Sequence, residues 1–229
     1  MKRSSRAPSE LSESLHQRLD MYTLAASAAG VGMFALAQSA EAKIVYSPAH
    51  IRISSEHPAL VDLNHDGVPD FIISISHGRD GSAGLYPVGL AQENQAAAYP
   101  APCGRGYYNY AFVAGIRVGP TLRFPLPSYR ANMAWYFASH VYGPWWGEKG
   151  RYLGLKFDIN GETHYGWARL NVPLPMGTVV KFGTVLLTGY AYETIPGKPI
   201  IAGKTKGPDA TLQPGSLGAL AAGASRLEH

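Results

Sequence analysis

Asp62, Asn64, Asp66 and Asp70 crowd into the stretch VDLNHDGVPDF, residues 61 to 71, with Gly67 among them. Three carboxylates and an amide at this spacing point to one chemistry, hard oxygen donors around a hard cation. Counted from Asp62, the loop has oxygen-bearing side chains at positions 1, 3, 5 and 9 and a glycine at the sharp-turn position 6. Val68 falls at position 7, where the ligand is a backbone carbonyl. Calcium takes about six to eight such oxygens. An ordinary polar turn needs one Asp or Asn beside a Gly, which leaves Asp62 and Asp70 unexplained. Without a cation the carboxylates repel one another. The expectation is a Ca2+ loop with Asp62, Asn64, Asp66, Val68 and Asp70 as ligands. A helix-loop-helix sensor is excluded, because Ile73 stands where a bidentate Glu is required and Phe71, Ile73 and Ile75 alternate with Ile72, Ser74 and Ser76 in strand fashion.

The DxNxDGxxD pattern of residues 62 to 70 resembles the loops between strands of integrin-type FG-GAP repeats and those of thrombospondin type 3 and dockerin segments. The resemblance covers nine residues and occurs once, so it implies an ion and not a whole fold.

No other stretch forms a local active-site motif. There is no GxSxG elbow, HExxH, P-loop or strand-borne GxGxxG. Glu148, Asp158, Glu162 and Glu193 include enough carboxylates for a glycosidase pair, yet no motif fixes any two of them, and Asp158 and Glu162 flank a turn where solvated acids are common. His164 faces Phe157 across a predicted hairpin and reads as a core histidine. The chain is expected not to be an enzyme, with a glycan-directed hydrolase kept as an alternative.

The elements that must position the loop are strands. Glycine and proline separate short β-branched and aromatic runs such as KIVYS, HIRIS, PDFIISIS, YYNYAFVAGIRV, MAWYFASH and TVVKFGTVLL. Many short strands between turn signals predict an all-β antiparallel sandwich, or alternatively a β-barrel. A long connection, roughly Ser76 to Arg105, interrupts the pattern as a loop, short helix or lid. Asn160-Gly161 is a strong hairpin signal. A two-residue turn there pairs Ile159 with Glu162, Phe157 with His164, Leu155 with Gly166 and Leu153 with Ala168 on a core face. The other face pairs Tyr152 with Arg169, Gly154 with Trp167 and Lys156 with Tyr165, and Trp167 can lie over Gly154. Tyr152, Tyr165 and Trp167 then form either the seam against another layer, the default for such rings, or a ligand platform on which a sugar stacks.

The segments YLGLKFDINGETHYGWARLNV and TGYAYETIPGKPIIAG resemble a β-rich domain recurring in exported bacterial proteins, some with cell-surface sorting tails. The resemblance spans about 60 residues and implies a secreted β domain with no established reaction. This chain's SLGALAAGASRLEH lacks the apolar helix and basic end of a sorting tail.

MKRSSR, the uncharged 17-residue run MYTLAASAAGVGMFALA and the AEA site ending at Ala42 predict a signal peptide over residues 1–42. One domain then fills residues 43–203, and 204–229 form a flexible tail. No other segment is apolar enough to span a bilayer. The formal net charge is +4 and the basic residues are scattered, which excludes a nucleic-acid stripe. The single cysteine, Cys103, allows no internal disulfide. These features together predict a secreted, cell-surface or periplasmic β domain stabilised by calcium, with a structural or surface-interaction role. The carbohydrate-binding module is the second alternative, so a glycan or cell-surface partner is the one considered.

Overall fold

The computed structural model describes residues 43–102, 106–125, 131–175 and 182–207. The predicted signal peptide, Cys103 and all but the first residues of the predicted tail lie outside them. Every regular element among the described residues is a strand. In chain order these are β1 (Ile44–Ile53), β2 (Ala59–Val61), β3 (Phe71–His77), β4 (Ala83–Gly89), β5 (Gln95–Ala96), β6 (Ala98–Pro100), β7 (Tyr107–Asn109) and β8 (Arg117–Val118). They are followed by β9 (Ala131–Asn132), β10 (Ala134–Phe137), β11 (His140–Tyr142), β12 (Arg151–Ile159), β13 (Glu162–Asn171), β14 (Val185–Glu193) and β15 (Ile200–Ile201).

Two five-stranded sheets dominate, ordered β1-β14-β13-β12-β5 and β11-β10-β4-β3-β2. Smaller sheets pair β15 with β8 and order β6-β7-β9. Among the described residues no sheet closes on itself, so the fold is an open, sandwich-like all-β architecture and the barrel alternative is set aside. The period-two pattern sets the packing. Leu153, Leu155, Phe157, Leu170 and Leu187 from the first sheet meet Val61, Phe71, Ile73, Ile75 and Leu85 from the second in one buried cluster.

The Asn160-Gly161 hairpin has the predicted register along its whole length, from Ile159 with Glu162 to Tyr152 with Arg169. Asn160 and Gly161 have φ of 54° and 85°, the left-handed pair of a type I′ turn, and Asp158 accepts the Gly161 N–H at 2.8 Å. The second face of this sheet is also covered. Tyr152, Tyr165 and Trp167 join Val118, Ile200 and Ala202 in a separate buried cluster.

Three expectations require correction. KIVYS and HIRIS form one strand, β1, because the irregularity between Pro48 and Ile51 is absorbed as a bulge while pairing with β14 continues. The supposed long connection from Ser76 to Arg105 contains β4, β5 and β6. Pro87 lies in β4 beyond the part paired by β10, a position where a missing N–H is tolerated. WYFASH is split by a tight turn pairing Phe137 with His140, with Ala138 and Ser139 at φ of 48° and 66°.

Candidate functional site

The acidic loop joins β2 to β3 at one end of the second sheet. Its geometry begins with Leu63, which is buried in the sandwich core while its neighbours Asp62 and Asn64 face outward. Burying such a side chain contributes about 1.5–3 kcal/mol, which anchors the loop without any ion. Asp62 accepts the His65 N–H at 2.7 Å through one oxygen and the Gly67 N–H at 2.9 Å through the other. Gly67 has φ of 88°, so the chain can turn sharply enough for its N–H to reach back to Asp62. Asn64 donates to Asp66 at 2.9 Å, and Asp66 accepts the Val68 N–H at 2.8 Å. These two bonds hold the Asp66 carboxyl below its usual pKa.

Asp70 closes the loop from the strand side. Its N–H donates to the Val61 carbonyl and its Oδ2 accepts the Leu63 N–H, both at 2.8 Å. Its carbonyl takes the Leu90 N–H and the Asn94 amide. Only 8% of the residue is exposed. Burial, followed by the charges of Asp62 and Asp66, raises its pKa to about 6, against the opposing Leu63 hydrogen bond. The first sheet supplies the loop's other neighbours. His65, at φ of 61°, lies 2.5 Å from the Ser47 hydroxyl and 6.1 Å from the Tyr190 ring. Burial raises the pKa of Tyr190 and Tyr192, with smaller contributions from Asp62 and Asp70 respectively.

Of the five predicted ligands, Asn64 and Asp66 hydrogen-bond each other, while Asp62 takes the His65 and Gly67 N–H groups. Asp70 sits beneath them, and Val68 is 66% exposed with its N–H turned to Asp66. Among the described residues no three His, Cys, Asp or Glu side chains converge as a ready-made metal cluster. The loop's carboxylates are instead directed at its own N–H groups. Ser47 and Tyr190 reach the loop at His65 through tertiary contacts that no spacing rule exposes.

The aromatic platform is corrected. Tyr152, Tyr165 and Trp167 are 7%, 5% and 1% exposed, so they form the seam and offer no face on which a sugar can stack. Tyr152 meets Trp167 edge-on at 5.1 Å, and Tyr46 covers Trp167 from the other side at 5.8 Å. The space above Gly154 is filled by Phe112, Val118 and Ala97, whose atoms are the nearest to any added Cβ. Arg169 and Lys156, set across from Tyr152 and Tyr165, turn to other partners. Arg169 donates to the Thr188 hydroxyl at 2.7 Å, and Lys156 lies 6.0 Å from the Phe124 ring centroid.

Glu162 is exposed, and the other candidate acids and the base are engaged locally. Glu148 pairs with Arg151 and Glu193 with Lys198, while Asp158 caps the hairpin turn. His164 is buried, packed by Phe157 and Tyr192, with Nδ1 3.0 Å from the Glu193 carbonyl. That is a satisfied core histidine. Comparison with protein-family profiles, curated proteins and solved structures gave no match.

Proposed function

We propose that this is an exported calcium-binding β domain with a structural or surface-interaction role, in which the ion holds the β2–β3 loop. One observation carries the reading: a largely buried carboxylate, Asp70, lies beneath Asp62 and Asp66 within a loop whose backbone is already closed around them. Three nearby carboxylates with one desolvated are unfavourable unless a cation neutralises them. The hydrogen bonds within the loop do not consume this capacity, because a carboxylate has about four lone-pair sites and a bond from one N–H leaves others for an ion. Export is supported by the position of Lys43 after the AEA site. Its carbonyl accepts the Thr194 N–H at 3.0 Å and its own N–H donates to the Thr194 hydroxyl at 3.2 Å, so the residue after that site is tied to the end of β14.

Calorimetric titration of the chelator-stripped protein with calcium tests the reading. A Kd of about 10⁻⁴ to 10⁻³ M is expected, since the loop lacks a bidentate Glu and extracellular modules bind in that range. Magnesium should substitute poorly because it requires a smaller octahedral shell. Asp66→Ala should remove the response and leave the Asn160-Gly161 hairpin intact. No heat in the parent protein, or equal binding by Asp66→Ala, would reduce the loop to a polar turn.

A further inference from the structure

The end of the sandwich away from the acidic loop has a different chemistry. β3 carries the chain from Phe71 beside the loop to His77, about 20 Å further on at strand rise. There the two large sheets border a cavity of about 800 Å³. Ile53 from β1 and Ile75 from β3, only 2% and 4% exposed, form its floor, and the half-buried Phe182 from the approach to β14 supplies the accessible apolar wall. Ile53 and Ile75 also belong to the core cluster, and the Phe182 ring stacks on Trp146 at 4.6 Å, so all three are held in place. Gly78, Gly81 and Gly183 also line the space.

The polar part of the lining has one sign. Arg52, His57 and His77 contribute a guanidinium and two imidazoles, and no Asp or Glu is among the described lining residues. Asp80, in the Gly78–Ser82 turn at the cavity's edge, has its carboxylate against Gly78 and turned to its own turn, where it accepts the Ser82 N–H at 3.0 Å. Glu56 is exposed and does not line the cavity. Among the described residues the ion pairs are Glu148 with Arg151 and Glu193 with Lys198, so Arg52 has no carboxylate partner there. His57 is fixed by the Ser54–His57 turn, in which each residue's N–H donates to the other, to the His57 carbonyl at 3.0 Å and the Ser54 hydroxyl at 3.1 Å.

A cavity of this size matches the span of small-molecule sites, about 300–1,000 Å³, which combine an apolar lining with a few convergent polar groups. We infer that it binds an amphiphilic organic anion, with an apolar body against the half-buried Phe182 over a floor of Ile53 and Ile75 and a carboxylate or sulfonate head beside Arg52, His57 and His77. A guanidinium fits such a head with two parallel N–H bonds, and imidazole N–H groups add further donors. A neutral ligand of the same shape forgoes that part of the binding.

The test uses the folded full-length chain and two probes that share a ring system, anionic 8-anilinonaphthalene-1-sulfonate and neutral N-phenyl-1-naphthylamine, followed by fluorescence. Saturable one-to-one binding of the sulfonate is expected, at least about tenfold tighter than the neutral amine, a ratio equivalent to one modest charge interaction. Arg52→Glu should weaken the sulfonate by about tenfold or more and leave the amine unchanged. His77→Glu repeats the measurement at a second exposed position should the first variant melt early. Displacement by laurate or by 1-naphthoate identifies an aliphatic or an aromatic acid as the better occupant. Equal binding of both probes, an unchanged sulfonate affinity in a folded charge-reversed variant, or failure of both acids to displace it would overturn the assignment.

Discussion

Replacing Asp70 by Asn should change stability in opposite directions with and without calcium. Asn keeps the shape and an oxygen for the Leu63 N–H, now 2.8 Å from Asp70 Oδ2, and removes the charge. In chelator, the folded protein holds the Asp70 pKa at about 6 against an ordinary value of 3.8. A carboxyl raised in this way contributes stability that is present in full below the unfolded pKa and lost as pH rises through the folded one. At pH 7 the parent therefore bears the cost of a buried charge. About 2 pKa units correspond to about 3 kcal/mol, and solvent reaching the loop reduces this toward 1 kcal/mol. Asp70→Asn should accordingly raise the apo melting temperature at pH 7 by about 2–10 °C for a domain of this size. Its advantage should vanish as the pH falls from 6 to 4. With saturating calcium the order reverses, because the ion needs the carboxylate and stabilises the parent by mass action. Scanning calorimetry of both proteins, in chelator and in calcium, at pH 7 and pH 4.5 reads all four corners. If Asp70→Asn is no more stable than the parent in chelator at pH 7, the carboxylate is not desolvated as described. An undiminished calcium response in the variant would remove Asp70 from the ligand set.

Gly161→Val should destabilise the domain by about 1 kcal/mol or more, since φ of 85° strains a β-branched residue. No atom lies within 4 Å of the added Cβ, so a chemical melt would report strain without a clash. Gly154→Val should cost more, about 1–3 kcal/mol, because its Cβ would meet Phe112, Val118 and Ala97 at 3.1 to 3.3 Å. Near-ultraviolet circular dichroism should show the surrounding aromatic seam disturbed, and an unperturbed spectrum with parental stability would contradict the packing. Terminal sequencing of exported protein should find Lys43 first, whereas retention of residues 1–42 would turn the leader into an anchor.

Short-range chemistry was legible in the sequence wherever a residue acts on its near neighbours. Asn160-Gly161 specified a turn whose φ values only those residue types adopt readily, and once the turn is set, period two dictates every pair down to Tyr152 with Arg169. The alternation after Asp70 marked β3, and the spacing from Asp62 to Asp70 marked a loop between strands, though not that its carboxylates accept the loop's own N–H groups. By contrast, Ala138 and Ser139 turn the chain without any glycine or asparagine signature, so the break between β10 and β11 was hidden. β4 and β5 were hidden as well, because GLYPVG and QA become strands by pairing with β3 and β12.

The tertiary structure decided what the hairpin's two faces do. Pattern alone shows that Tyr152, Tyr165 and Trp167 share a face, but whether water or protein covers that face depends on Val118, Ile200 and Ala202, which come from distant parts of the chain. The same holds for Asp70. Its type and spacing identify an oxygen donor, yet its raised pKa follows from the depth at which Leu63 and β3 pack the loop. Burial is a property of elements brought together, and no local sequence window contains it.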